Sequence, residues 1–274
     1  MRKPPYLPFL DGPARMAPQL KPIFETGWLS PDTEADVWLE EKRALMREKR
    51  DQVYAETDGS HLAVEEAASL IRANLGFETP STGTYHTALE RAAALVSDDV
   101  CVMVERDGAY CLGAASLCAP TFWSLQVNIG KPLGGLHHAL PGEGVDLSSR
   151  INRIFSGLQP DIILERFNWT VQYGAERFTP SSASMKARLA SLTASEAANQ
   201  LHLRVERQTV RKLPETGAVL FTIRICVDPL PAILANATHK TAFAESWRET
   251  ASDVAGYKGW PHYQPAIDWL LSQA

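Results

Sequence analysis

The chain has 274 residues, of which 45% are hydrophobic and 22% are charged, the ordinary balance of a globular protein that can bury a sizeable core. A formal net charge of -5 and a pI near 5.8, with no basic run, argue against nucleic acid as a partner. No apolar run approaches the roughly 18 residues of a membrane span, and the N-terminal MRKPPYLPFL is too short and too interrupted by proline for a secretory signal. We therefore expect a cytoplasmic protein with no membrane partner.

The first third of the chain is predicted to be helical after an irregular arm. Residues 1–33 are rich in proline and carry aromatic side chains that can pin the arm to a surface. Apolar residues at helical spacing then predict helices over Glu34 to Val53 and His61 to Leu75, and a third over Thr84 to Val96.

The period then changes from helical to alternating. Val100 to Arg106 and Ala109 to Cys118 flank an Asp-Gly turn and predict a β-hairpin. From Thr121 to about Pro160 the pattern is again helical, with glycines and prolines that divide it into short helices and loops. This segment is the helical connection between the predicted hairpin and the next strand.

The second half of the chain predicts three more strands. Asp161 to Gly174 is a long strand candidate, and the polar, serine-rich stretch that follows, to about Asn199, is interpreted as a loop crossing over. Leu201 to Leu230 reads as two strands joined by a Pro-Glu-Thr-Gly turn. Three helices are predicted at the end of the chain, around Pro231 to Ala237, Lys240 to Val254 and Pro265 to Ser272.

Two strands, a helical connection and three strands are the element order of a PAS domain. We therefore predict an α/β (α+β) fold with a PAS-like antiparallel five-stranded sheet. An N-terminal arm and helices over about 1–97 and C-terminal helices over about 229–274 are expected to flank it. No internal repeat or linker divides the chain, so a single domain over 1–274 is expected.

The last predicted hairpin is unusual because charged residues are threaded through hydrophobic strands. A four-residue turn at Pro214 to Gly217 places Leu213 opposite Ala218, Thr209 opposite Thr222, and Arg207 opposite Arg224. Two like charges side by side are unfavourable unless an anion lies between them or water surrounds them. The pattern predicts a negative group near this pair.

Other motifs exclude several classes of site. The four cysteines, Cys101, Cys111, Cys118 and Cys226, form no C-x-x-C pair, which disfavours a zinc or iron-sulfur site and favours small core residues. The dinucleotide, P-loop, zinc-protease and serine-hydrolase motifs are absent from the sequence.

Three segments resemble the haem-dependent oxidative N-demethylase family. They are RVERQTVRKLPETGAVLFTIR from Arg204, ERFNW from Glu165 and PLGGLHHALPG from Pro132, and the early WLEEKRALMREKRDQVY from Trp38 is similar to that family's N-terminal helix. The resemblance covers most of the chain. It implies a haem-binding PAS fold and the NADPH-dependent oxidation of a small secondary amine.

The resemblance also implies where haem b would be held. The axial histidine of haem-binding PAS proteins lies in the helical connection, which points to His137 as the iron ligand, with its neighbour His138 as the alternative. Haem propionates require cationic or hydrogen-bonding partners. The residues expected near the haem are Arg207, Arg211, Gln208 and Trp123, with Arg150, Arg153 and Trp169 as further candidates whose surface or core roles are equally open.

Oxygen chemistry and amine binding require further polar groups. Donors to dioxygen are expected among Arg224, Thr222, Asn168 and Gln208, and a carboxylate for the ammonium is expected from Glu206 or Glu165. Each can equally be half of an ion pair across the sheet, and for Arg224 the partner can be dioxygen, a propionate or Glu206.

The resemblance makes this chain the oxygenase component of an amine monooxygenase that oxidises a secondary amine such as dimethylamine and releases formaldehyde. Electrons would come from NADPH through FMN and a 2Fe-2S cluster on partner subunits, because this chain has no motif for either. A haem-based gas or redox sensor without turnover is the alternative, and a member that has lost haem for another small ligand is a third.

Overall fold

The computed structural model describes residues 3–16, 19–77, 85–136 and 144–273, with side chains described from residue 149 onward in the last range. The strands are β1 (Lys21–Ile23), β2 (Tyr54–Glu56), β3 (Asp99–Arg106), β4 (Ala109–Ser116), β5 (Ile163–Tyr173), β6 (Leu201–Lys212) and β7 (Val219–Pro229). The α-helices are α1 (Ala35–Glu48), α2 (Arg50–Val53), α3 (His61–Asn74), α4 (Ala88–Ala93), α5 (Leu125–Asn128), α6 (Leu133–Leu136), α7 (Gly144–Gly157), α8 (Ala183–Ala190), α9 (Ala194–Ala198), α10 (Leu230–Leu234), α11 (Ala237–Glu249), α12 (Ser252–Tyr257) and α13 (Gln264–Ser272).

All strands pair antiparallel in one seven-stranded sheet, in the order β1-β5-β6-β7-β3-β4-β2. The five predicted strands are β3 to β7, which are neighbours in the sheet. The expected count of five is corrected to seven because β1 and β2 add one short strand at each edge. Each is three residues long, too short for an alternating pattern to reveal it.

The predicted register of the last hairpin is confirmed. Thr209 is opposite Thr222, and Arg207 is opposite Arg224. The turn closes where the sequence placed it, because the Leu213 amide donates to the Ala218 carbonyl at 2.8 Å. Gly217 adopts a φ of 70°, a left-handed conformation that glycine tolerates without strain.

The prediction of a loop for the polar stretch before β6 is wrong from Ala183 onward, where the chain forms α8 and α9. A capping box starts α9: the Thr193 hydroxyl accepts from the Glu196 amide, and the Glu196 carboxylate accepts from the Thr193 amide. The amphipathic period of such short helices is difficult to recognise among serines and alanines.

The sheet has two differently covered faces. Successive residues of a strand point to opposite faces, so the side of β6 that carries Glu206, Gln208 and Val210 is opposite to the side that carries Arg207 and Thr209. Val210 packs with α5, α6 and α7, and we call this side the connection face. The Trp28 indole of the N-terminal arm donates to the Thr209 hydroxyl at 3.0 Å, and we call that side the arm face.

The four cysteines are buried and free, as the sequence predicted. No α-helix among the described residues is long and apolar enough to cross a membrane.

Candidate functional site

The residues predicted to form one site lie on both faces of the sheet. Cross-strand pairing places Arg207 with Arg224 and Thr209 with Thr222 on the arm face. It places Glu206 with Asn168 on the connection face. Because side chains alternate along a strand, the groups expected to act together are divided by the sheet itself.

The arginines on the arm face are paired within the protein. The Arg207 Nε donates to the Glu165 carboxylate at 2.6 Å, and its terminal nitrogens donate to the Trp28 and Gly27 carbonyls at 2.8 and 2.6 Å. Arg211 forms an ion pair with Glu25 at 2.6 Å. Carboxylates and carbonyls of this chain thus occupy the Arg207 guanidinium, whereas the buried Nε of Arg211 has no hydrogen-bond partner. Their role as propionate partners stays a prediction.

Arg224 is paired in the same way. Its Nε donates to the Asp98 carboxylate at 2.9 Å and a second nitrogen binds the same oxygen, while Ser30 accepts at 2.7 Å through its carbonyl. Asp32 is 3.7 Å from the guanidinium. The negative group predicted beside the Arg207 and Arg224 pair is thus built from the protein's own carboxylates.

Arg224 and Thr222, which were predicted as donors to dioxygen, have partners within the protein, and that role stays a prediction. The Thr222 hydroxyl shares a 2.6 Å hydrogen bond with the Thr209 hydroxyl, which also accepts from the Trp28 indole of the arm. Arg224 is 2% exposed and lies on the other side of the sheet from Glu206. Glu165, the alternative carboxylate for the amine, forms an ion pair with Arg207.

Glu206 is the centre of a polar cluster on the connection face. Its Oε1 accepts from the Thr121 hydroxyl at 2.5 Å. Its Oε2 accepts from the Asn168 amide at 3.1 Å and from the Gln208 amide at 2.7 Å. All three donors are neutral, so the half-buried carboxylate is held by hydrogen bonds rather than by a direct ion pair.

These contacts keep Glu206 ionised. Burial alone would raise the pKa of Glu206, but the hydrogen bonds from Thr121 and Asn168 bring that pKa below its ordinary value. The positive charges of Arg204 and Lys258 act in the same direction. A charged carboxylate at physiological pH is the result.

A second layer of residues holds the donors in place. Arg204 is fully buried, and its Nε donates to the Thr121 hydroxyl at 2.9 Å, which directs the threonine proton toward Glu206. Lys258 donates to the side-chain amide oxygen of Asn168 at 2.7 Å. Sequence reasoning missed Thr121, Arg204 and Lys258 as site residues, and only the charge of Arg204 within the hairpin could have indicated one of them.

The backbone beside Thr121 is strained. Phe122 has a φ of 57°, a left-handed conformation that is rare for a bulky residue and costs about 1–3 kcal/mol. Its amide donates to the Thr179 carbonyl at 2.7 Å, which holds this conformation. The strain lies between Thr121, which contacts Glu206, and Trp123, one of the predicted cofactor contacts.

An apolar wall adjoins the polar cluster. Ile223 is opposite Gln208 and Phe221 is opposite Val210, and both are only partly buried although β7 lies in the middle of the sheet. Trp123 and Leu136 are also partly buried against the core on this face. The wall is therefore an accessible apolar surface next to a charged carboxylate.

The helical connection reaches this face immediately before the predicted ligand. Leu136 ends α6, and the next residues, His137 and His138, lie outside the described residues. Arg150 and Arg153 on α7 are exposed. Within the ranges that the structure describes, no group of three or more histidine, cysteine, aspartate or glutamate residues is arranged to hold a metal.

Arg166 is a further cation on the connection face, opposite Gln208. Its Nε is buried and has no hydrogen-bond partner. No carboxylate in the described part of the chain forms an ion pair with it, and burial lowers its pKa, with the charge of Glu206 acting in the opposite direction. An unpaired, half-buried guanidinium is costly, so this position calls for an anionic ligand.

An ionised carboxylate, an apolar wall and an unpaired guanidinium thus lie on one sheet face of this α/β protein. The chain matches the sequence model of the family described as haem-dependent oxidative N-demethylase, alpha subunit-like, over residues 72–268. The match spans more than half of the chain, and the protein belongs to that family. The family description implies haem dependence, an oxidative N-demethylase activity and an assembly with other subunits.

The connection face fits haem on two observations. Phe221, Ile223 and Trp123 offer apolar surface for a macrocycle, and the orphaned Nε of Arg166 offers a donor for a carboxylate such as a propionate. Arg166 is therefore a candidate propionate partner on the connection face, whereas Arg207 and Arg211 lie on the arm face.

Arg166 supplies a first prediction. Arg166→Gln is expected to weaken haem binding by about tenfold or more, because a charge-assisted hydrogen bond to a propionate contributes roughly 1.5–3 kcal/mol. Titration of apoprotein with haemin, followed by absorbance, measures the effect. Arg248→Gln is the control, since Arg248 is exposed on α11, and equal haem affinity in the two variants would contradict the assignment.

Proposed function

We propose that this chain is the haem-binding component of a monooxygenase that oxidises a small secondary amine such as dimethylamine and releases formaldehyde. One observation carries the proposal: Glu206 is a charged carboxylate without a cationic partner of its own, beside the apolar wall. The family supports the haem-dependent oxidative chemistry.

Glu206 suits an ammonium ligand. Secondary amines are protonated at neutral pH and donate through N-H groups. A carboxylate offers about four acceptor positions, and the neutral donors occupy one on Oε1 and two on Oε2. One position on Oε1 is left for the ammonium, and no lysine or arginine in the described part of the chain forms an ion pair with this carboxylate.

Haem would occupy the connection face with His137 as the iron ligand and His138 as the alternative. When bound, it supplies the reduction of dioxygen and the oxidation of an N-methyl C-H bond. Phe221, Ile223 and Trp123 exclude water from the macrocycle, and Arg166 holds an anionic substituent. Glu206 would fix the amine nitrogen, and Gln208 and Asn168 hold its carboxylate by hydrogen bonds.

The overall reaction requires a reductase. Dimethylamine, dioxygen, two electrons and two protons give methylamine, formaldehyde and one water. We assign the electrons to NADPH through FMN and a 2Fe-2S cluster on partner subunits, which agrees with a family described as alpha subunit-like. The neighbour order β5-β6-β7-β3-β4 supports the PAS-like interpretation of the central sheet. We place the enzyme in the cytoplasm.

The experiment that tests the haem assignment compares two adjacent substitutions. His137→Ala is expected to abolish the Soret band of the reconstituted protein, because the iron loses its axial imidazole, whereas His138→Ala retains it. Absorption spectra of both variants, with circular dichroism to verify folding, are the measurement. The reverse pattern would move the ligand to His138, and an unchanged band in both would contradict the assignment. Formaldehyde release with amine and reductant distinguishes an enzyme from a haem-based sensor.

A further inference from the structure

Lys258 follows directly after α12 and reaches the Glu206 cluster from the C-terminal part of the chain. Its ammonium donates to the side-chain amide oxygen of Asn168 at 2.7 Å and to the backbone carbonyl of Trp169 at 2.9 Å. It forms no ion pair with Glu206 itself. The lysine therefore acts on the carboxylate through the asparagine.

The contact determines the orientation of the Asn168 amide. A protonated or neutral amine nitrogen can donate to the amide oxygen, and this leaves the amide nitrogen to donate to Glu206 at 3.1 Å. In the opposite orientation, the amide oxygen would face the carboxylate and the amide nitrogen would face the ammonium. Both contacts would then be repulsive.

We propose that Lys258 is a positioning residue for the cationic amine, because it holds the Asn168 amide against Glu206. Its own positive charge also repels the amine cation at that carboxylate. This rests on the proposed function, because it assumes that Glu206 receives the amine.

The charges around Lys258 make it responsive to pH. Burial lowers the pKa of Lys258 to about 8, while the charge of Glu206 acts to raise it and that of Arg166 to lower it. The groups that face it are thus Glu206 on β6 and Arg166 on β5, with Tyr257 beside it on α12. Burial, reinforced by Glu206, raises the pKa of Tyr257.

Deprotonation of Lys258 changes its charge but not its geometry. A neutral amine still has two N-H groups for the Asn168 and Trp169 oxygens, so the amide stays oriented while the positive charge disappears. By thermodynamic reciprocity, a cation bound at Glu206 lowers the pKa of Lys258, and loss of that proton strengthens cation binding by the same factor.

The test measures dimethylammonium binding to the haem-loaded full chain by calorimetry, without reductant, from about pH 6 to 9, where the ligand remains charged. In the wild type, affinity is expected to increase about three- to tenfold through a midpoint near 8. Lys258→Arg is expected to bind with no such increase, because a guanidinium stays charged. Lys258→Met is expected to lack the increase and to bind more weakly than wild type at pH 9, because Asn168 is no longer oriented.

Lys212→Met is the matched control. Lys212 lies on the same face of β6 as Glu206. It donates to the Tyr110 hydroxyl at 2.8 Å and the Phe155 carbonyl at 3.1 Å, so the variant loses comparable hydrogen bonds away from Glu206. It is expected to reproduce the wild-type profile. A Lys258→Met profile identical to wild type would overturn the inference.

Glu206→Gln separates this inference from the proposed function. If that variant abolishes binding and Lys258→Met keeps the midpoint near 8, the role of Lys258 alone is overturned. If Glu206→Gln binds as tightly as wild type, the amine site at Glu206 is overturned, and the role of Lys258 is overturned with it.

Discussion

Replacing Arg224 with methionine is expected to destabilise the fold by about 3–5 kcal/mol, since it leaves buried carboxylates without their cation. The side chains of Arg224 and Asp98 are 2% and 1% exposed, and Asp98 also has one oxygen without a hydrogen-bond partner. Asp32 and the Ser30 carbonyl would lose the same guanidinium. Urea unfolding followed by circular dichroism measures the loss.

Arg211→Met is the control for this effect. Arg211 is on the same face, but its partner Glu25 is 52% exposed, and such solvated pairs contribute at most about 1 kcal/mol. Folded Arg224→Met protein should keep its haem spectrum, since Arg224 faces away from the connection face. A stable variant whose haem binds dioxygen poorly would instead support the oxygen-donor role predicted from sequence.

Glu206→Gln is expected to lower kcat/KM for amine demethylation by about 10²–10³, corresponding to loss of one charged partner from a desolvated pair. The amide keeps the shape of the carboxylate but removes the charge that the ammonium meets. It also places an N-H₂ group among the Thr121, Asn168 and Gln208 donors. Formaldehyde production with reductant, at matched haem content, is the measurement.

Glu165→Gln is the control because Glu165 was the other carboxylate indicated by the sequence and lies on the arm face with Arg207. It is expected to affect stability more than turnover. Loss of turnover in the Glu165 variant, with normal turnover in the Glu206 variant, would contradict the site.

Partners from distant segments explain why the sequence reasoning grouped residues that the fold separates. Charged side chains inside a hydrophobic hairpin indicated an anionic ligand, and the charge argument was sound for Arg207 and Arg224. Their hydrogen-bond partners come from distant parts of the chain: the Asp98 carboxylate is 126 residues from Arg224, and the Trp28 carbonyl is 179 residues from Arg207. A pattern along one hairpin contains no information about partners at that separation.

Local features were determined by the sequence alone. The alternation of β6 and β7 and the Pro-Glu-Thr-Gly turn determine the register that sets Arg207 against Arg224, because turn length and side-chain period act over a few residues. The same alternation already divides Glu206 from Arg207, and two-residue periodicity applied to both strands would have assigned them to opposite faces.

Only the tertiary structure decided which of these polar groups form a site. Thr121 reaches Glu206 from 85 residues away and Lys258 reaches Asn168 from 90, each from a segment whose own pattern indicates no chemistry. Arg166 indicates a ligand only because the fold buries its Nε without a hydrogen-bond partner. Local propensities set strands and turns, but the pairing of buried charges depends on the packing of distant segments, which minimises uncompensated charge over the whole fold.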